Sequence, residues 1–251
     1  MILVLGGTSD SLLICEQLNR AKAPYKISVT TEYGKTLSQV YTNNVIVGAL
    51  DLLKMTELVI KDTIDTIIDA THPYATEVSK TAILVTENLA IQYIRYERKS
   101  LLNHLSYKKL HIVESIEEAC ALANQIGTNI FLSTGSKNLE IFWKNLADKK
   151  LVARVLPTSK VLESCEQIGF NADNIVAMKG PFSITVNEAL YKAYDTDLVI
   201  TKESGMEGGF LEKIKACKNR DIDVIVIKRA TVAYPCVVHQ IEDILKYIKK
   251  Y

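Results

Sequence analysis

The twelve residues Met1-Ile2-Leu3-Val4-Leu5-Gly6-Gly7-Thr8-Ser9-Asp10-Ser11-Leu12 constrain the fold more than any other stretch. A short apolar run stops at two glycines, small hydroxyl residues follow, and apolar positions then recur at helical spacing through Leu18. The pattern predicts strand, tight turn, helix. Glycine lets backbone N–H groups approach an anion with no Cβ in the way, and a helix start supplies unpaired donors and partial positive charge. The turn is a candidate dinucleotide diphosphate site. Its match to Gly-x-Gly-x-x-Gly is incomplete, because Thr8 and Ser11 stand at the other glycine positions. Taken alone, it fits a plain βα connection equally well.

The alternation continues. Strands are expected at 26–31, 44–47, 66–70 and 91–96, with helices at 51–61 and about 74–88. Apolar runs of this kind, buried on both faces, fit parallel strands covered by crossover helices. The charged, irregular stretch 97–107 marks a boundary, dividing the chain into 1–97 and 98–251. Beyond it, strands are expected at 110–113, 129–132, 151–156, 174–178, 197–201 and 223–228, with helices between them and a last helix about 241–249. The expected fold class is α/β, with two doubly wound, mainly parallel sheets.

Composition narrows the partners. The 251 residues are 48% hydrophobic, enough for two modest cores, and the net charge of +1 supplies no global field for nucleic acid or an anionic membrane. The cysteines (Cys15, Cys120, Cys165, Cys217, Cys236) are odd in number and never in a Cys-x-x-Cys pair, which points to reduced thiols. The histidines His72, His104, His111 and His239 lack metal-ligand spacing, so no metal site is expected. No stretch is long enough to span a bilayer, and no basic leader precedes the first strand. A cytoplasmic setting is expected.

In open α/β sheets, ligands bind beyond the carboxyl ends of the strands, and the unusual residues cluster there. After the second strand stand Thr31, Glu32 and Tyr33, where Glu32 could accept from a ribose 2′-hydroxyl and would repel a 2′-phosphate; a solvated strand-ending turn is the alternative. Thr71 and His72 follow the fourth strand. Ser133, Thr134, Gly135, Ser136 and Lys137 form a second strand-turn-helix cradle, and 202–209 a glycine-rich loop without Walker spacing. Arg154, Lys179, Lys202 and Arg229 fall at or just past expected strand ends, where a basic rim would suit a polycarboxylate. Hydrolase and metalloenzyme readings are weak, since no Gly-x-Ser-x-Gly elbow, no cysteine with a neighbouring base and no metal cluster is present. A cofactor-dependent enzyme fits, and so do a glycosyl- or methyltransferase and a non-catalytic nucleotide sensor.

Eight blocks in order along the chain resemble the precorrin-6A / cobalt-precorrin-6A reductases of cobalamin biosynthesis. They are ILVLGGTSD at 2–10, VTTEYG at 29–34, DATHPYA at 69–75, RYER at 95–98, LSTGS at 132–136, RVLP at 154–157, KGPF at 179–182 and TKESG at 201–205. Two departures are Asp10, where the family usually has glutamate, and Lys99, where proline often follows the arginine. The resemblance implies two Rossmann-like domains facing a shared cleft. It implies NADPH or NADH as cofactor, with hydride transfer to C19 and protonation at C18 of a polycarboxylate tetrapyrrole, cobalt-bearing on our reading. Gly6, Gly7, Thr8 and Ser9 would then bind the diphosphate, Thr31, Glu32 and Tyr33 the adenosine half, and Thr71 and His72 the ribose or nicotinamide side. Ser133, Thr134, Gly135, Ser136, Lys137, Arg154, Lys179, Lys202, Ser204, Gly205 and Arg229 would hold the substrate. His72, Tyr74 and Glu203 are the candidate proton donors, and a monomer or weak homodimer is expected.

Overall fold

The structure, a computed structural model, describes residues 1–102, 105–204, 209–229 and 232–248. It divides into two compact units: Met1–Lys99 with Ala230–Tyr251, and Ser100–Arg229.

The first unit holds β1 (Ile2–Leu5), α1 (Ser9–Arg20), β2 (Tyr25–Val29), α2 (Glu32–Ser38), β3 (Val45–Val47), α3 (Leu52–Lys61), β4 (Thr66–Asp69), α4 (Thr76–Leu89), β5 (Gln92–Tyr96), β12 (Val237–Val238) and α10 (Ile241–Tyr247). Its sheet is parallel throughout, in the order β3-β2-β1-β4-β5-β12, the doubly wound dinucleotide-binding order. β1 is buried along its whole length because alternate residues feed two cores. Ile2 and Val4 join Ile14, Cys15 and Leu18 of α1 and Ile244 of α10 on one face. Leu3 and Leu5 join Met55 and Val59 of α3 and Ala82 and Val85 of α4 on the other. Leu18 is fully buried, and cutting such a leucine to alanine costs about 2–5 kcal/mol.

The second unit holds β6 (Leu110–Val113), α5 (Ile116–Ile126), β7 (Asn129–Ser133), α6 (Leu139–Asn145), β8 (Lys150–Val155), α7 (Ser159–Ile168), β9 (Ile175–Ala177), α8 (Ile184–Ala193), β10 (Leu198–Lys202), α9 (Phe210–Asn219) and β11 (Asp223–Ile227). The order β9-β8-β7-β10-β11-β6, again all parallel, repeats the first sheet's plan with β7 as central strand. Phe131, Val152, Val199, Val224 and Val226 of the strands pack on Tyr191 of α8 and on Phe210 and Ile214 of α9.

Two features depart from the sequence expectation. The division 1–97 and 98–251 is corrected at its C-terminal end: β12 pairs with β5, Val237 opposite Arg95 and Val238 opposite Tyr96, so the final segment belongs to the first unit. The sixth sheet position is thus filled by the chain's last strand in one unit and by the unit's own first strand in the other. The second departure is α2, which begins where a strand-ending turn was expected. Thr31 caps it, its hydroxyl accepting from the Gly34 amide at 3.0 Å.

Candidate functional site

Each sheet reverses strand order beside its central strand, and the crevice at that reversal is where such sheets take ligands. In the first unit the crevice lies between the ends of β1 and β4. Gly6 is close-packed, since a Cβ there would meet Ile27 Cδ1 at 2.8 Å. Gly7 is the reverse: its φ is +108°, and a Cβ would meet no described atom within 4 Å, so its backbone faces open space. Thr8 caps α1. Its hydroxyl accepts from the Ser11 amide at 3.1 Å and donates to the Ala70 carbonyl at 2.8 Å, while the Ser11 hydroxyl accepts from the Thr8 amide at 3.3 Å. This box satisfies two of the four amides at a helix start, leaving those of Ser9 and Asp10 for a ligand or water. Asp10, in the first turn, forms an ion pair with Arg98, beyond the end of β5.

At the end of β4 sits a buried charged network. Asp69 Oδ1 accepts from the Thr71 amide (3.0 Å), the Thr71 hydroxyl (2.7 Å) and Arg95 Nη1 (2.8 Å). Oδ2 accepts from the hydroxyls of Ser79 (2.5 Å) and Tyr93 (2.7 Å). Asp69 and Arg95 are 0% and 1% exposed. Burial, then the Asp69 charge, pushes the Tyr93 phenol far above its ordinary pKa, so it stays a donor. The Tyr234 ring covers the Arg95 guanidinium at 5.1 Å and stacks on Tyr93 at 6.3 Å.

The other first-unit candidates spread along the same strand-end edge. His72 is exposed; its Nδ1 accepts from the Tyr74 amide at 3.4 Å, with the two rings 5.5 Å apart. Thr31, Glu32 and Tyr33 are exposed at the start of α2. Glu32 lies in the first helical turn, paired with Lys35 at 3.3 Å.

The second unit's crevice lies between β7 and β10. Gly135 repeats Gly7: φ is +77° and no described atom lies within 4 Å of its Cβ position. The surrounding charge is different. Arg154, at the end of β8, is 6% exposed, and its described hydrogen-bond partners are neutral: it donates to Asn187 Oδ1 (2.8 Å) and Ser133 Oγ (2.7 Å) and lies over the rings of Phe182 (4.2 Å) and Phe131 (5.5 Å). Burial pulls its pKa down. Lys213 of α9 is 7% exposed, its ammonium 3.4 Å from Thr201 Oγ1. Burial first, and the Arg154 charge second, lower its pKa to about 7. No described carboxylate forms an ion pair with either. Lys202 donates to Asn138 Oδ1 at 2.9 Å, and its pKa is lowered by burial and then by the nearby Lys137.

The remaining candidates divide. Ser133, Thr134, Ser136 and Lys137 fall at or just after the end of β7, as expected. Lys179 is exposed beyond β9. Glu203 is 2% exposed and turned to Arg229: Oε2 accepts from the Arg229 amide at 3.2 Å, and Oε1 lies 3.6 Å from Arg229 Nε. Ser204 is half-buried with its hydroxyl oxygen enclosed. Gly205 lies outside the described residues. Sequence reasoning missed Asp69, Arg95, Asn187 and Lys213 as site residues. An aspartate closing an otherwise apolar strand was the available signal for Asp69; Lys213 offered none within its helix. Among the described residues no group of three or more His, Cys, Asp or Glu could hold a metal, and no helix is long and apolar enough to cross a membrane.

Comparison with known proteins agrees with this geometry. The family model described as Precorrin-6x reductase CbiJ/CobK matches residues 1–249. A Cobalt-precorrin-6A reductase of Salmonella typhimurium is 40% identical over 230 residues, covering 92% of this chain and 88% of that one. One from Priestia megaterium is 37% identical over 248 residues, covering 98% and 96%. A solved structure, "CobK precorrin-6A reductase", superposes with a TM-score of 0.80 at 18% identity, covering 98% of this chain and 94% of that chain, which shows the common fold. Together the doubled parallel sheet and the open glycine turns define a two-unit α/β protein with ligand crevices at its strand ends. The chain belongs to the precorrin-6x reductase CbiJ/CobK family, reductases of cobalamin biosynthesis.

Proposed function

We propose that the protein reduces cobalt-precorrin-6A with NADPH or NADH, the first unit holding the coenzyme and the second the tetrapyrrole. The coenzyme side is carried by Gly7: its backbone faces open space above the start of a twelve-residue helix, the arrangement that receives a diphosphate. The residues fit the group, since the capping box leaves the Ser9 and Asp10 amides available and Thr8 ties the turn to β4. Arg98 neutralises Asp10, which would otherwise repel the diphosphate. Lys35 offsets Glu32 on the adenosine side, so a 2′-phosphate meets both signs of charge and either coenzyme fits.

When bound, the nicotinamide supplies hydride, here to C19 of the macrocycle. The second unit's part is to hold and orient. A buried guanidinium with neutral partners is electrostatically incomplete, and an incoming carboxylate completes it. Arg154 would take a peripheral carboxylate of the substrate, with Lys137 and Lys202 beside the Gly135 turn taking others. The cobalt-bearing substrate follows the names of the relatives at 37–40% identity, and cobalt would arrive with that substrate. His72 and Tyr74, at the end of β4, are the candidates for delivering a proton to C18; Glu203, closed onto Arg229, is the weakest of the three.

The test is anaerobic incubation of the purified protein with cobalt-precorrin-6A and reduced coenzyme. Loss of nicotinamide absorbance matched by a ring product two mass units heavier is expected. A tetrapyrrole returned unchanged, with NADPH and NADH both tried, would overturn the reading. Substitution of His72 or Tyr74 that leaves turnover intact removes that residue as donor.

A further inference from the structure

The Asp69 network is larger than strand closure requires. A buried carboxylate needs partners, and Asp69 has five donors from four residues: Thr71, Ser79, Tyr93 and Arg95. They come from three parts of the unit, namely the β4–α4 connection, α4 and β5. Buried ion pairs are poor sources of net stability, because desolvation offsets most of their attraction. What such a network gives is a fixed position. The residue it fixes is Thr71, gripped through both amide and hydroxyl. Its neighbour Ala70 accepts the Thr8 hydroxyl at 2.8 Å. The network therefore sets where the cap of α1 stands. A fourth part joins from the C-terminal segment, where Tyr234 lies over Arg95 and stacks on Tyr93.

We propose that Asp69 is a positioning residue for the coenzyme corner, holding the Ala70–Thr71 backbone against Thr8, and that Tyr234 completes the device by clamping Arg95 and Tyr93. This rests on the reading that the Gly6–Thr8 turn receives the dinucleotide. Asp69 itself acts without touching the coenzyme, through its grip on Thr71 and the hydrogen bond from Thr8 to Ala70. The network ties coenzyme affinity to the segment that carries β12, so loss of that segment loosens the corner as well as the sheet edge.

The experiment is a fluorescence titration of the full chain with NADPH, alongside melting temperatures. Each of Ser79→Ala and Tyr93→Phe removes one donor to Oδ2 and is expected to weaken coenzyme binding about three- to tenfold. Tyr234→Leu should weaken it similarly, while Tyr234→Phe, which keeps the ring over the guanidinium, should restore most of the affinity. Val59→Ala, in the core on α3, is the control: it should lower the melting temperature as much as Tyr93→Phe without changing affinity. Asp69→Asn should give the largest loss; if it does not fold, the single-donor variants carry the test. Unchanged affinity in both Ser79→Ala and Tyr93→Phe overturns the proposal, as does a Val59→Ala variant that weakens binding equally. Gly7→Val separates the two layers. If the unsubstituted protein binds and Gly7→Val does not, the coenzyme reading stands whatever the network variants do. If the unsubstituted protein binds no nicotinamide coenzyme, that reading falls and the proposal with it.

Discussion

The two units share a strand plan and differ in how the chemistry at the strand ends is closed. In the first, a carboxylate ends β4 and is saturated by five donors, one of them a guanidinium. In the second, the register-equivalent position is Thr201, and two buried basic side chains, Arg154 and Lys213, stand near it with neutral hydrogen-bond partners. One crevice is internally neutralised and rigid, so what it presents is backbone amides at an open glycine. The other buries the Arg154 guanidinium among neutral described hydrogen-bond partners, which on the proposed reading suits an anion. On the proposed reading, the same topology would serve as a diphosphate cradle in one unit and a carboxylate receptor in the other, according to which strand end holds which charge.

The sharpest way to break this comparison is to substitute the matched glycines. Gly7→Val forces a branched residue to φ +108° and fills the open space above the turn; strain of about 1–3 kcal/mol plus lost approach should weaken coenzyme binding roughly 100-fold. Gly135→Val, at φ +77°, should instead raise the KM for the tetrapyrrole and leave coenzyme affinity within about twofold of its starting value, the scatter expected of independent sites. Equal effects of both on coenzyme titration would erase the distinction between the crevices. Next in size, Arg154→Met should raise the tetrapyrrole KM about tenfold or more with coenzyme affinity unchanged, and Arg154→Lys should not rescue it, because one ammonium cannot reproduce the fork to Asn187 and Ser133.

The smallest expected effect is on stability and concerns Lys213. Its folded pKa of about 7 lies below the 10.5 of a solvated lysine. Between these values the unfolded chain carries the proton and the folded chain does not, so stability rises with pH across that window. Below about 7 the buried ammonium must be protonated and its full cost is present. Lys213→Met should therefore melt a few degrees higher than the unsubstituted protein at pH 6, and the advantage should shrink towards pH 10. A constant difference across that range, followed by thermal melts, would show that Lys213 does not titrate with folding.

The Gly-Gly-Thr corner was legible in the sequence because its requirements are local: an apolar run, residues without or with small side chains, and a capping hydroxyl within eleven residues. The parallel strands were legible for the same reason. The Asp69–Arg95 pair was not, because partners on adjacent strands meet only once strand order is known. Lys213 follows Glu212 and precedes Ile214 and Lys215, and nothing in that run distinguishes a buried lysine from a solvated one. Glu203, by contrast, stood out as a carboxylate in a glycine-rich loop, yet its environment is set by Arg229 across a strand pair. α2 was hidden by Gly34 in its first turns, and β12 by being only Val237 and Val238.

That short strand has a consequence for how the chain is made. Residues Ser100–Arg229 lie in the chain between β5 and the strand that pairs with it. During synthesis the later-translated unit therefore has all six of its strands in hand before the earlier one does. The ribosome delivers the first unit's opening strands early and its edge strand last. A released chain truncated after residue 229 should already protect the second unit from protease while the first still lacks its edge.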